Sequence, residues 1–133
     1  MSVQRVQQAQ RAHQVDVVAQ GVNQVVLSGR LSSDPQCREL SSGSVLYTLE
    51  VTTELPDGAV SVPVAWFDPP GEVHFAAGDE VVVAGLVRRR FFRSAGGTQS
   101  RTEVLATSVV AASARRKVQK LVDGIRNTLD AVT

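Results

Sequence analysis

Apolar and polar side chains alternate over several stretches between residues 22 and 112. Successive side chains of an extended strand point to opposite faces, so such alternation indicates strands with one buried face. Turn-forming sequences rich in Gly, Pro, Asp and Ser separate these stretches. The pattern therefore predicts an all-β protein with five main strands, near residues 23–31, 45–52, 60–67, 80–93 and 101–110, and a short additional strand near 36–40.

Two helices are expected beside these strands. About one helical turn is predicted at residues 72–77, after the third main strand, and a longer helix after Ser113, which can cap it. Apolar residues recur along the longer helix at alternating spacings of four and three: Val118, Val122, Ile125, Leu129 and Val132. Such a stripe has to be buried, either against the helix's own domain or against a second copy of the chain.

The predicted elements form one domain with two appendages. Their order is that of a five-stranded OB-fold barrel with a short helix after strand 3, a protruding β-hairpin and a C-terminal α-helix, although other small barrels fit the pattern equally well. A chain of 133 residues is long enough for one core and too short for two ordinary domains. We expect an N-terminal arm at residues 1–21, the OB-fold domain at 22–112 and an amphipathic helix at 113–133. The arm either packs on a neighbouring subunit or makes no contacts.

The last two main strands are predicted to form the hairpin that protrudes from the barrel. Gly96 and Gly97 lie between them and supply the positive φ that such a turn needs. The formal net charge of the chain is only +1, but residues 88–101 contain five arginines and no acid. The end of the hairpin is therefore expected to be strongly basic.

Rings and cations share both faces of this hairpin end. Alternation gives each face both kinds of side chain, with Arg88, Arg90 and Phe92 on one face and Arg89, Phe91 and Arg93 on the other. Guanidinium groups bind phosphates and aromatic rings stack on bases, which is the combination that single-stranded nucleic acid requires. The hairpin therefore predicts a nucleic-acid contact; a solvated arm at a subunit contact is the alternative.

The third main strand predicts one further exposed ring. One of its faces is expected in the core and consists of Val60, Val62, Val64 and Trp66. The opposite face carries the small side chains of Ser61, Pro63 and Ala65 and ends with Phe67, which these small neighbours leave accessible. We therefore expect Phe67 to be available for stacking.

Other kinds of chemistry find little support in the sequence. Cys37 is the only cysteine and is expected to be a buried or half-buried thiol, while His13 and His74 lack ligand-spaced neighbours, so neither a metal site nor a disulfide is predicted. No nucleophile lies near a credible base, and no glycine-rich phosphate loop precedes a helix. We expect a protein that is not an enzyme and needs no cofactor. No signal or membrane-spanning segment is evident, which predicts a cytoplasmic location and no membrane partner.

Several motifs in order resemble those of the bacterial single-stranded DNA-binding proteins. The segment Asn23-Gln-Val-Val-Leu-Ser-Gly-Arg-Leu31, with Asp34-Pro35, looks like the opening of that family's domain. The segment Gly78–Gly85 with Arg88–Phe92 looks like its fourth strand, and residues 102–104 follow as Thr-Glu-Val. The resemblance covers about residues 22–112. It implies an OB-fold homotetramer, cytoplasmic and associated with the nucleoid, that coats single-stranded DNA without sequence specificity in replication, repair and recombination.

The resemblance also assigns roles to particular residues. Phe92 and Phe67 match two base-stacking aromatic positions of the family, whereas the positions near Leu55 and at Ser61-Val62 lack the tryptophans found there. Each stacked base contributes about 1–3 kcal/mol, so we expect the two losses to weaken binding unless arginines compensate. The chain ends without the family's acidic, phenylalanine-terminated tip, so recruitment of proteins through such a tip is not implied.

The sequence thus predicts a binding protein with a defined set of contact residues. The predicted nucleic-acid-binding residues are Phe67, Phe92, Arg88, Arg90, Arg93, Arg101 and Arg30. The expected partners are single-stranded DNA and further copies of the chain, as a homotetramer or, alternatively, a dimer. The competing hypothesis is an OB-fold adaptor that binds protein and has weak or no affinity for nucleic acid.

Overall fold

A computed structural model describes residues 21–132. Nearly all of the arm predicted at residues 1–21 lies outside the described residues. The elements within them are β1 (Val25–Leu31), β2 (Gln36–Glu39), β3 (Val45–Leu55), β4 (Gly58–Phe67), β5 (Glu80–Ser94), β6 (Gly97–Ala111) and α1 (Arg115–Ala131). All five main strands and the short additional strand are therefore present, as the alternation predicts.

Five of the strands close into a barrel. Each is hydrogen-bonded to two neighbours in the order β1-β5-β6-β4-β3, and β3 returns to β1 through Arg30 opposite Thr52 and Leu31 opposite Val51. Only β4 and β6 run parallel, with Val64 opposite Val104. This is the strand order of an OB-type barrel, so the predicted fold class is confirmed. The short strand β2 pairs with β3 outside the ring.

The barrel interior is filled by the inward residues of the alternating strands. The largest side chains that are fully buried are Leu31, Leu49, Val51, Val64, Val81 and Val83. Trp66 is buried as predicted, but Val60 is exposed because it lies beside the β3–β4 turn, three residues from the end of the hairpin. Two glycines allow the strands to cross closely: a Cβ at Gly29 would lie 2.2 Å from the carbonyl oxygen of Thr52, and one at Gly85 the same distance from that of Leu105.

The connection between β4 and β5 contains no helix along residues 68–79, so the helical turn predicted at residues 72–77 is wrong. The amide of Ala76 donates to Asp79 Oδ2 at 2.9 Å, and the amide of Ala77 donates to Asp34 Oδ1 at 2.8 Å. These carboxylates satisfy the backbone donors that a helix would otherwise use. The segment is instead irregular, and Phe75 packs its ring 6.5 Å from that of Trp66 at the edge of the core.

The C-terminal helix α1 packs on the outside of its own barrel through its first half. Leu121 is buried against Val82 and Ala84 of β5, and the partly buried residues around it are Val110, Ala112, Val118, Val122 and Ile125. Residues 126–131 are exposed. Ser113 does not cap the helix; Ala114 occupies the N-cap position and makes no side-chain hydrogen bond there. The described residues 21–132 contain no helix with the length and apolar character that a membrane span requires.

Candidate nucleic-acid interface

The hairpin formed by β5 and β6 extends well beyond the barrel. Its two strands pair from Val81 opposite Ala111 to Ser94 opposite Gly97. The pairing of β5 with β1 ends at Gly85, and that of β6 with β4 ends at Val104. Beyond the pair Val87–Val104, the seven remaining residues of each strand, 88–94 and 97–103, form a free two-stranded ribbon about 24 Å long. Its turn closes at Gly97, whose φ of 110° suits glycine, as predicted.

The ribbon has two faces with different residues. The pairing register defines a front face of Arg88, Arg90, Phe92, Gln99, Arg101 and Glu103. The reverse face consists of Arg89, Phe91, Arg93, Thr98, Ser100 and Thr102. The register between β4 and β6 makes the front face continuous with the outer barrel face that carries Phe67, and Phe67 is hereafter counted as part of the front face. Both predicted stacking rings therefore lie on one side of the molecule.

Each front-face ring is paired with an arginine. The guanidinium carbon of Arg88 lies 5.3 Å from the centroid of Phe67, and that of Arg90 lies 5.4 Å from the centroid of Phe92. Both distances are within the range of cation–π attraction. Phe92 is exposed as predicted, but Phe67 is half-buried rather than exposed because Arg88 lies over it. This side of the molecule therefore presents both aromatic rings and guanidinium planes.

Three of the predicted phosphate-binding arginines surround a buried carboxylate. The Glu103 side chain is only 5% exposed, and its Oε2 accepts hydrogen bonds from Nε and Nη2 of Arg88 at 3.0 and 2.8 Å. Its Oε1 lies 3.5 Å from Arg90 Nη2 and 3.7 Å from Arg101 Nε. A buried carboxylate needs such partners, because its desolvation is otherwise very costly. Glu103 therefore gathers the front-face arginines into one cluster, a role that the sequence did not reveal.

The reverse face carries a ring that the predicted set of binding residues does not include. Phe91 is 65% exposed, and the guanidinium of Arg89 lies 5.4 Å from its centroid while donating to Ser100 Oγ at 3.1 Å. Alternation alone places Phe91 between Arg89 and Arg93 on this face, so the signal was available in the sequence. Of the predicted arginines, Arg93 is the one that lies on this face.

The predicted contact residue Arg30 lies apart from the hairpin. Its Nη1 is 2.7 Å from Glu54 Oε1. Arg30 is opposite Thr52 of β3, whereas Phe67 is opposite Leu46, six residues away along the same strand. That separation corresponds to about 20 Å, so the structure does not bring Arg30 together with Phe67 and Phe92.

A different arginine extends the front face near Phe67. Arg38 of β2 is opposite Leu46, which is itself opposite Phe67, so the three side chains share one row across three strands. Neighbouring strands lie about 4.8 Å apart, which places the Arg38 backbone roughly 10 Å from that of Phe67. The alternation of residues 36–40 is too short to assign a face, so Arg38 could not be predicted as a contact residue from the sequence.

The single cysteine lies on the same short strand and is exposed rather than buried. A hydrogen bond with the Cys37 side chain raises the pKa of Tyr47 above its ordinary value. Among residues 21–132, no three His, Cys, Asp or Glu side chains are grouped to hold a metal ion. In the part of the chain that the structure describes, the cluster of interest is therefore the set of arginine and phenylalanine side chains on the hairpin.

A scan against protein-family models finds none that matches the chain. Function is therefore inferred from the fold and from the residues that the hairpin brings together. The arrangement offers cations beside aromatic rings along an exposed ribbon, which suits a flexible anionic polymer with flat bases.

Proposed function

We propose that this protein binds single-stranded DNA without sequence specificity and coats it during replication, repair or recombination. The observation that carries the proposal is the presence of two ring–guanidinium pairs on one side of the projecting hairpin and the adjoining barrel face: Phe67 with Arg88, and Phe92 with Arg90. Bases stack on rings and guanidinium planes while phosphates bind the arginines. No step in this function requires a reaction or a cofactor.

The absence of sequence specificity follows from the kinds of contact available. Every base has a flat face that can stack on Phe67 or Phe92, and every nucleotide carries the same phosphate. Readout of a particular base would require hydrogen-bonding groups held in fixed positions against its edge. Gln99 is the one amide side chain on the front face of the ribbon. We therefore expect binding to tolerate any base composition.

Self-association is part of the proposal, as a homotetramer or, alternatively, a dimer. Exposed apolar side chains remain at the start of the barrel and at the end of α1. Val26 of β1 is 47% exposed, Val22 before β1 is 49% exposed, and Leu129 of α1 is 41% exposed. Closed symmetry would cover these residues and present several hairpins to one strand. Several weak contacts linked in this way bind far more tightly than one, which would offset the two stacking positions without tryptophan. The proposed location is the cytoplasm, in association with the nucleoid.

One observation favours the competing function, an OB-fold adaptor that binds protein. Glu103 already forms an ion pair with Arg88 and partly neutralises Arg90 and Arg101. This reduces the positive charge that is available to phosphates. Phosphate binding must therefore compete with this carboxylate. The adaptor would use the same exposed ribbon to contact a partner protein.

Titration of a labelled oligo-dT with the full chain at low and moderate salt separates the two functions. Coating of single strands predicts saturable binding that weakens as salt rises, with a log–log slope near −0.7 for each phosphate neutralised. A folded protein that leaves the oligonucleotide unbound at low salt would support the adaptor instead.

A further inference from the structure

The two faces of the hairpin differ in how their arginines are compensated. On the front face, one buried carboxylate lies within 4.0 Å of Arg88, Arg90 and Arg101. On the reverse face, among the described residues, neither Arg89 nor Arg93 has a carboxylate within that distance. The reverse face therefore keeps two full positive charges, whereas the three on the front face share one negative charge.

The remaining residues of the reverse face also suit a nucleotide chain. Arg89 is opposite Thr102, Phe91 opposite Ser100 and Arg93 opposite Thr98, so a row of hydroxyl groups runs beside the row of cations and ring. Hydroxyl groups are common phosphate ligands. No acidic side chain belongs to this face. Its chemistry is thus complementary to a polyanion and not to a cationic partner.

The aromatic ring of this face is more accessible than those of the front face. Phe91 is 65% exposed, compared with 37% for Phe92, and Phe67 is half-buried. A single exposed ring is ordinary on a protein surface. Here the ring lies between two cations at a spacing of two residues, or about 7 Å on each side. Along about 14 Å of the strand, the ring thus offers a stacking surface for a base between two groups that can bind phosphates.

We infer that the reverse face of the hairpin, through Arg89, Phe91 and Arg93, is a second single-stranded DNA contact. It lies on the opposite side of the ribbon from Phe92 and is distinct from the front face with its Glu103 cluster. One hairpin then lies between two segments of the bound strand, and each uncompensated arginine contributes more to the salt dependence than an arginine of the Glu103 cluster does. This inference rests on the proposed function.

The test places a fluorescent reporter on the reverse face. Trp66 is the only tryptophan and is buried, so the variant F91W adds an exposed indole at the site. Oligo-dT is expected to quench this new fluorescence at the same protein concentrations at which a labelled oligonucleotide becomes bound. F91L, which keeps an apolar side chain without the ring, is expected to lower affinity roughly 5- to 150-fold, from about 1–3 kcal/mol per stacked base.

Charge is tested with a matched pair of single variants. R93Q removes a reverse-face cation and is expected to reduce the log–log salt slope by about 0.7. R126Q removes an exposed arginine of α1, on an element away from the hairpin, and is expected to leave the slope and the affinity unchanged. The front-face variant R101Q should change the slope less than R93Q does, because Glu103 already neutralises part of the charge of Arg101.

Failure of the inference is distinguishable from failure of the proposed function. If the parent protein binds oligo-dT while F91L and R93Q bind as tightly and F91W is not quenched, the reverse face makes no contact and the proposed function stands. If these variants alter sedimentation but not affinity for oligo-dT, the face binds a second copy and the inference is wrong. If the folded parent binds no oligo-dT at low salt, the proposed function itself fails.

Discussion

Glu103 and Arg88 form a two-point contact across the base of the hairpin, with Oε2 of the carboxylate accepting from Nε at 3.0 Å and from Nη2 at 2.8 Å. The same guanidinium lies over the ring of Phe67. Arg88 therefore links the buried carboxylate to the proposed stacking surface. Any phosphate that binds Arg88 has to replace or share this contact, so Glu103 is expected to limit affinity.

Replacement of the carboxylate by an amide tests this competition. In E103Q the front-face arginines lose their shared anion and become available to phosphates. We expect tighter binding of oligo-dT at low salt, by about tenfold, since removal of one nearby charge is worth on the order of 1 kcal/mol or more. The salt slope should become steeper by about 0.7 for each newly bound phosphate. Fluorescence anisotropy of a labelled oligonucleotide measures both quantities.

E103Q is also expected to destabilise the fold, and this loss can be measured on the same variant. Loss of charge-assisted hydrogen bonds to a buried group is expected to lower the free energy of unfolding by about 1–3 kcal/mol. The charge-matched control D123N lies on the exposed side of α1, where Asp123 accepts a hydrogen bond from Gln119. It should alter neither affinity nor slope. Weaker DNA binding by a folded E103Q variant would contradict the competing role of Glu103.

Self-association is tested at the exposed end of α1. Leu129 is 41% exposed although it belongs to the apolar stripe of the helix. L129E should shift sedimentation towards the monomer mass of 14.2 kDa, because burial of a leucine contributes about 1.5–3 kcal/mol at each contact. N127E adds the same charge off the stripe and should sediment like the parent. A parent protein that is monomeric at micromolar concentration would rule out the proposed assembly.

Replacement of glycine by alanine is expected to have opposite effects on stability at two positions, Gly29 and Gly124. G29A places a methyl group against the backbone of β3, 2.2 Å from the Thr52 carbonyl oxygen, and should lower the free energy of unfolding by roughly 1–3 kcal/mol or more. Gly124 lies inside α1 with open space around it, so G124A should raise that free energy by about 0.5–1 kcal/mol. Chemical denaturation measures both. Equal stability of the two variants would mean that β1 and β3 do not cross closely at Gly29.

The strands were predictable from the sequence because their signal is local. Alternation continues along each strand, and Gly58 and Gly97, which lie in two of the turn-forming sequences between these stretches, both have positive φ. The helix stripe was also largely correct, although its buried centre is Leu121, which a strict alternation of three and four leaves out. Features that depend on a single stretch of the chain could therefore be predicted from the sequence.

Features that depend on residues far apart in the chain could not be predicted from the sequence. Asp34 accepts the amide of Ala77, 43 positions later, and so takes a donor from the expected helical turn. The opposition of Arg88 and Glu103 depends on the irregularity between Ala84 and Gly85, which shifts the register of the hairpin. Alternation within one strand does not reveal such a shift. The Glu103 cluster thus emerges only once both strands are paired.

The central claim, that aromatic rings on the front face stack on bases, is tested most directly with the double variant F67L/F92L in a titration of labelled oligo-dT. The variant keeps the apolar character of both positions but loses two π surfaces and their cation–π contacts. If the rings stack, affinity should fall by about 1–3 kcal/mol per ring, equally for different base sequences, while the salt slope stays nearly unchanged. A folded double variant that binds oligo-dT as tightly as the parent would contradict the claim.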